Sequence, residues 1–141
     1  MINDDLKLKG KLAISLNGKI IQEVDNLVVT AGKGYVASRM KDTTATAMSH
    51  MAIGSGSTAA AASDTALGNQ LGRVALTSTT VSNAVVTYVA SFPAGTGTGA
   101  VTEAAILNAS SGGTMLCRTV FSVVNKGASD SMTVTWTVTV S

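Results

Sequence analysis

Residues 132–141 read MTVTWTVTVS, and the fold turns on how they are read. Met132, Val134, Trp136, Val138 and Val140 share one parity, while Thr133, Thr135, Thr137 and Thr139 share the other. A helix repeats its faces every about 3.6 residues, so a period of two sustained over the whole segment describes a strand with one face in a core. The other face is polar without being charged. Such a face accepts water and, having no ions to desolvate, equally accepts a second protein surface.

The same period extends backwards from this strand. Val86, Tyr88, Ala90 and Phe92 alternate with Val85, Thr87, Val89 and Ser91, and Val74 and Leu76 alternate with Ala75 and Thr77. Pro93 closes one strand, and PAGTGTGA, residues 93–100, is a glycine-rich connection. Strands are predicted near 101–107 and 114–124, separated by NASSGGT; in the second, Met115, Cys117, Phe121 and Val123 fall on one face, which reads Cys117 as a core residue.

At the other end, LKLKGKLAISL, residues 6–16, sets Leu6, Leu8, Leu12, Ile14 and Leu16 against Lys7, Lys9 and Lys11. Asn17-Gly18 then signals a hairpin, because both residues tolerate positive φ. A three-residue loop would place Leu16 opposite Ile20 and keep Ile20 and Val24 on the apolar face, so it is the preferred register. Between the hairpin and the β region, Thr30 caps a short predicted helix carrying Tyr35, Val36, Arg39 and Met40. Residues 48–53 read as a short strand, and Ser63 or Asp64 caps a predicted second helix carrying Ala66, Leu67 and Leu71. The expected fold is mainly β: an antiparallel β-sandwich or jelly-roll with one or two short helices. Residues 1–141 form one domain, with 1–26 as an amino-terminal hairpin or an arm exchanged with a neighbour, and 27–141 as the sandwich body.

Composition narrows the function. The chain has 141 residues, is 45% hydrophobic and only 13% charged, against about 25% charged in an average soluble domain. Its length suffices for one self-supporting core. A net charge of +2, with no basic cluster beyond Lys7, Lys9 and Lys11, argues against a nucleic-acid footprint. One cysteine rules out an internal disulfide framework and a multi-cysteine zinc site. No apolar run approaches the about 20 residues of a membrane span, and MINDDLKLKGK lacks the order of a signal peptide, so synthesis and folding in a cytoplasm are expected.

One motif invites an enzymatic reading. Gly54, Gly56 and Ala59 spell G-x-G-x-x-A after a short apolar run. A dinucleotide fingerprint needs a parallel strand, a helix facing the pyrophosphate, and an acid about 20 residues further on. RVALTSTT occupies that downstream region without a carboxylate, and no βαβ pattern surrounds it, so the stretch reads as a small-residue loop. His50, the sole histidine, has no placed partner in Asp64, Glu103 or Cys117. Glu103 is either a catalytic carboxylate or, as the plainer reading, a partly buried acid paired with Arg73 or Arg118 or bonded to a turn. No catalytic, cofactor or metal residue is assigned.

Four segments carry a resemblance: NLVVTAGKGYVASRM, MAIGSGSTAAAASDTALGNQL, VTEAAILNASSGGTMLCRTVF and VNKGASDSMTVTWTVTVS. Together, from about residue 27 to the end, they resemble small virion proteins of tailed bacteriophages, a group that includes capsid cement (decoration) proteins and modules of tail fibres. The resemblance implies a non-enzymatic virion protein, made in the host cytoplasm, that binds the capsid exterior and clamps neighbouring subunits. Its expected partners are the major capsid protein and itself, as a homodimer ahead of a trimer, with no cofactor, nucleic acid or membrane. A tail-fibre or baseplate module binding a host receptor or glycan is the alternative. Lys7, Lys9 and Lys11 on the first strand, with Ser57 and Ala60 in the small-residue loop, are the candidate partner contacts. The lysines also serve the ordinary purpose of keeping a sheet edge soluble.

Overall fold

The computed structural model describes residues 6–41 and 46–141. The first five residues of the predicted amino-terminal arm lie outside the described residues. In chain order the elements are β1 (Leu8–Leu16), β2 (Lys19–Val28), α1 (Thr30–Lys41), β3 (His50–Gly54), β4 (Gln70–Ala75), β5 (Ser78–Ser82), β6 (Val85–Phe92), β7 (Gly99–Leu107), β8 (Met115–Lys126) and β9 (Met132–Val140). The strands form one curled antiparallel sheet ordered β4-β3-β7-β8-β2-β1-β9-β6-β5. It is sandwich-like because β2 belongs to two layers. Along most of its length β2 pairs with β1, and at Leu27 and Val28 it crosses to β8. Layer A is therefore β2-β1-β9-β6-β5, and layer B is β4-β3-β7-β8 with the end of β2.

The alternation in β9 is obeyed from Met132 to Val138, while Val140 at the strand end is only half-buried. Met132, Val134, Trp136 and Val138 are buried in the core between the layers, joined by Leu12 and Ile14 of β1 and by Tyr88, Ala90 and Phe92 of β6. Layer B contributes Met51, Ile53, Val101, Ala104, Ile106, Cys117 and Val124 to that core. A second, smaller cluster, formed by Val29, Ala52, Ala105, Leu107 and Met115, lies on the outer side of layer B under Ala31 and Leu67. This explains why β3 is buried almost throughout: each of its faces meets a different cluster. It also makes the segment 55–69 a cover for layer B, rather than a free loop.

Helix α1 runs from Thr30 to Lys41, where a short helix is predicted, and packs on β8; its first backbone bond runs from the Lys33 N–H to the Val29 carbonyl, so Val29 rather than Thr30 holds the cap position. Gly32 lets it approach: a Cβ there would collide with the Leu116 backbone carbonyl. Only this one helix occurs among the described residues, so the predicted helix after Asp64 is corrected. Asp64 does not cap a helix. Its carboxylate accepts from the Ala61 N–H and from Arg118 instead, and its own N–H donates to the Ala61 carbonyl, so residues 61–64 form a turn.

Two register expectations are also corrected, both by β-bulges. The first turn is the tight two-residue type, with Leu16 opposite Lys19 and Ser15 opposite Ile20; Asn17 (φ 50) and Gly18 (φ 83) take the left-handed conformations it needs. A bulge then resets the pairing to Ile14–Gln22, bringing Val24 opposite Leu12 and leaving Ile20 and Ile21 exposed. The apolar register is thus repaired inside the strand rather than in the loop. In β7–β8, bulges at 101–103 and 106–107 interrupt parity. Consequently Met115 joins the outer cluster and Val123 is exposed, while Cys117 and Phe121 remain in the inner core.

Candidate functional site

The small-residue loop is built around an anion, and that anion belongs to the chain itself. The bulge in β7 separates Val101, which faces the inner core, from Glu103, whose side chain reaches the loop segment covering layer B. The Glu103 carboxylate is fully buried and accepts backbone N–H bonds from Gly56 at 2.6 Å, Gly68 at 2.8 Å and Asn69 at 2.8 Å. Arg118 lies beside it on β8 and donates from Nε at 3.1 Å and from Nη2 at 3.0 Å. The same guanidinium reaches Asp64 at 2.9 Å and the Thr58 carbonyl at 3.0 Å. Thr102 adds a bond to the Gly56 carbonyl. Both ends and the middle of segment 55–69 are therefore pinned to layer B by one charge network.

The glycines now have a physical reason. A Cβ at Gly56 would lie 2.5 Å from Glu103 Oε2, and one at Gly54 would lie 2.6 Å from the same oxygen. Small residues at 54 and 56 are what allow backbone N–H groups to close on a carboxylate, as they would on a phosphate. The slot that a pyrophosphate would need is occupied by Glu103. Burial pushes the Glu103 pKa up, but the N–H bonds from Asn69, Gly68 and Gly56, together with Arg118, outweigh that and hold it below its ordinary value. Glu103 is thus an anchor that is charged at neutral pH, with its acceptor capacity spent on the loop and on Arg118. Of its two predicted cationic partners it takes Arg118. Arg73 instead bonds Gln70 and the carbonyls of Ala109 and Gly112, stapling the turn before β8.

The remaining chemistry-bearing residues are kept apart. His50 pairs across the sheet with Leu107 and Ala75, and its Nδ1 lies 2.7 Å from the Ser49 hydroxyl. Four residues along β3 from Gly54, which faces Glu103, it stands about 13 Å from that carboxylate's strand position. Cys117 is wholly buried in the inner core, and burial drives its thiol pKa far up, so it is inert as a nucleophile. No group of three or more potential metal-ligating side chains occurs among the described residues.

The lysines of β1 occupy a different surface. The outer face of layer A is a grid in which Asp25, Lys11, Thr137, Thr87 and Thr80 line up across five strands. The next row is Glu23, Ala13, Thr135, Val89 and Ser78, and beyond Lys11 comes Lys9 beside Thr139. Rows are spaced about 6.7 Å along the strands and about 4.8 Å across them. Charges sit only at the β1–β2 side, where Lys11 and Glu23 form an exposed pair at 3.6 Å. A shallow groove of about 500 Å³ runs between Lys9, Lys11, Glu23, Asp25 and the threonines of β9.

The five candidate contacts therefore do not converge. Lys9 and Lys11 lie on the layer A grid, and Lys7 continues the β1–β9 pairing through Ser141. Ser57, exposed, and Ala60, half-buried, lie on the loop that covers layer B, the opposite side of the sandwich. Sequence reasoning missed Lys126. Though buried, its ammonium donates to the carbonyls of Pro93 (3.0 Å) and Asp130 (2.7 Å), tying the glycine-rich connection to the turn before β9. Asp130 in turn accepts from Asn17 Nδ2 and the Gly127 N–H. The K-G-A-S-D run thus serves as a structural clasp. Comparison with protein-family models, with curated proteins and with solved structures finds no match.

Proposed function

We propose that this chain is a non-enzymatic structural protein of a tailed-bacteriophage virion that binds the outside of the capsid and stabilises contacts between major capsid protein subunits. The observation that carries the reading is the layer A grid: a broad face, mostly of threonine and serine over β9, β6 and β5, whose charges Lys9, Lys11, Glu23 and Asp25 are confined to its β1–β2 side. A cement protein works by binding assembled subunits better than separated ones, so it needs area and rigidity and no chemistry. Repetition over a symmetric shell turns a weak contact into a strong one. The charge network that pins segment 55–69 suits the same purpose, because a preordered loop loses little entropy on docking.

The test is binding of the purified chain to purified capsids, followed by capsid melting. Binding at a fixed copy ratio with a raised melting temperature is expected, and absence of binding to intact heads contradicts the proposal. Thr135→Glu with Thr137→Glu is expected to leave the chain folded, by circular dichroism, while weakening capsid binding at least tenfold. Ser57→Asp with Ala60→Asp applies the same test to the loop, and the two pairs together say which side of the sandwich faces the shell.

The groove favours one second reading. Hydroxyls of Thr135, Thr137 and Thr139 beside Lys9, Glu23 and Asp25 offer the donors and acceptors that a sugar needs, as in a tail-fibre or baseplate module. Antibody labelling of virions separates the two, since head-wide signal belongs to cementing and tail-confined signal to receptor binding.

A further inference from the structure

The two edges of the sheet are treated differently. At one edge, β4 carries Arg73 and is stapled to the turn at 109–112. At the other, β5 is STTVS, regular in its pairing with β6 and exposed at all five positions. It holds no lysine, no proline and no bulge, the devices by which sheets keep an edge solitary. No charged residue occurs anywhere from 74 to 102. An edge of this kind is a template for another strand.

The side chains of β5 say which strand. Thr79 and Val81 stand opposite Tyr88 and Val86 on the inner side, whereas Ser78, Thr80 and Ser82 belong to the threonine face. Val81 is 70% exposed. With Leu8, Val36, Val86 and Val138 it lines a mainly apolar groove of about 350 Å³ between α1 and the edge, to which α1 also contributes Arg39. We infer that β5 pairs antiparallel with β5 of a second copy of this chain, about a two-fold axis through Thr80, joining two five-stranded layers into one continuous sheet.

The strand is complementary to itself in that register. Ser78 faces Ser82, Thr79 faces Val81, and Thr80 faces Thr80 of the second copy, so every pair matches in size and in side. In an isologous contact a charged residue near the axis meets its own like charge, and this edge contains none. Because facing residues share a side, the grooves of the two copies meet and each exposed Val81 is covered against the other's Thr79. A five-residue strand pair is a small interface, so a micromolar dimer is expected. This assignment does not rest on the virion reading and is tested without capsids.

Sedimentation equilibrium of the full chain is expected to show concentration-dependent doubling of the 14.2 kDa mass. Thr80→Lys sets two ammonium groups face to face and should weaken the dimer at least tenfold without changing the circular dichroism spectrum. Thr80 is the one β5 position that meets itself, so Thr80→Cys is expected to cross-link on mild oxidation. Ser78→Cys alone should not, but it should do so when mixed with Ser82→Cys; Cys117 is buried and does not compete. A wild-type chain that stays monomeric, a dimer indifferent to Thr80→Lys, or a Thr80→Cys variant that fails to cross-link each overturns the inference.

Discussion

A single carboxylate organises much of the outer side of layer B. Glu103 is buried because five donors from Gly56, Gly68, Asn69 and Arg118 replace its water, and Arg118, itself 2% exposed, depends on that carboxylate in return. Breaking a buried pair from one side costs about 3–5 kcal/mol. Since Asp64 still pairs with Arg118, Glu103→Gln is expected to fall at the low end, about 3 kcal/mol by urea unfolding. The same variant changes the acid response. A carboxylate whose folded pKa is depressed contributes stability that is complete above its unfolded value, ordinarily 4.5, and that fades as pH falls through the folded value. Wild-type stability should therefore decline below about pH 4.5, where the unfolded chain takes up a proton the native state refuses. Glu103→Gln should show a shallower decline, the remainder coming from Asp130, whose pKa is lowered by its bonds to Asn17 and Gly127. Parallel acid limbs in the two proteins would refute this role for Glu103.

The two glycines of α1 make opposite predictions at the scale of the element. Gly34 is exposed, with nothing within 4 Å of an added Cβ, so Gly34→Ala should stabilise the protein by about 0.5–1 kcal/mol through helix propensity alone. Gly32 seats the helix against the Leu116 carbonyl, and Gly32→Ala should destabilise it by about 1–3 kcal/mol, because backbone must move. Thermal unfolding of both variants checks the pair. Elements whose signal is local were legible in the sequence: β9, β6, β1 and the short helix carrying Tyr35, Val36, Arg39 and Met40 all follow from their period. What escaped it was decided by tertiary pairing. The bulges near Ile21, Thr102 and Leu116 each insert one or more residues that parity counting cannot see, and they leave Met115 and Val123 on faces other than the one expected. Residues 61–69 carry helix-capping chemistry, but Arg118 recruits Asp64 and the helix does not form. The candidate site was legible in part: an ion pair with Arg73 or Arg118, or bonds to a turn, is the plainer expectation for Glu103, and the structure combines Arg118 with the turn. That the G-x-G segment itself is the turn required knowing that β3 and β7 are neighbours.

Taken as a whole, the molecule concentrates its charge in β1, β2, α1 and a few internal clasps, and leaves both the β9 face and the β5 edge almost neutral. Neutral hydroxyl surfaces cost less to dehydrate than charged ones, which is what the proposed contact role requires. If Lys9 and Lys11 meet an acidic shell surface, capsid affinity should fall with added salt, whereas a contact through the threonines alone should be nearly salt-independent; titrations at two ionic strengths distinguish them. The central claim is that the chain is a component of the shell exterior. Its most direct test is the copy number of this protein relative to the major capsid protein in purified particles of any phage found to carry its gene, determined by quantitative mass spectrometry. A ratio of unity or a simple fraction of it is the predicted result, and a handful of copies per particle, or none, would contradict the account.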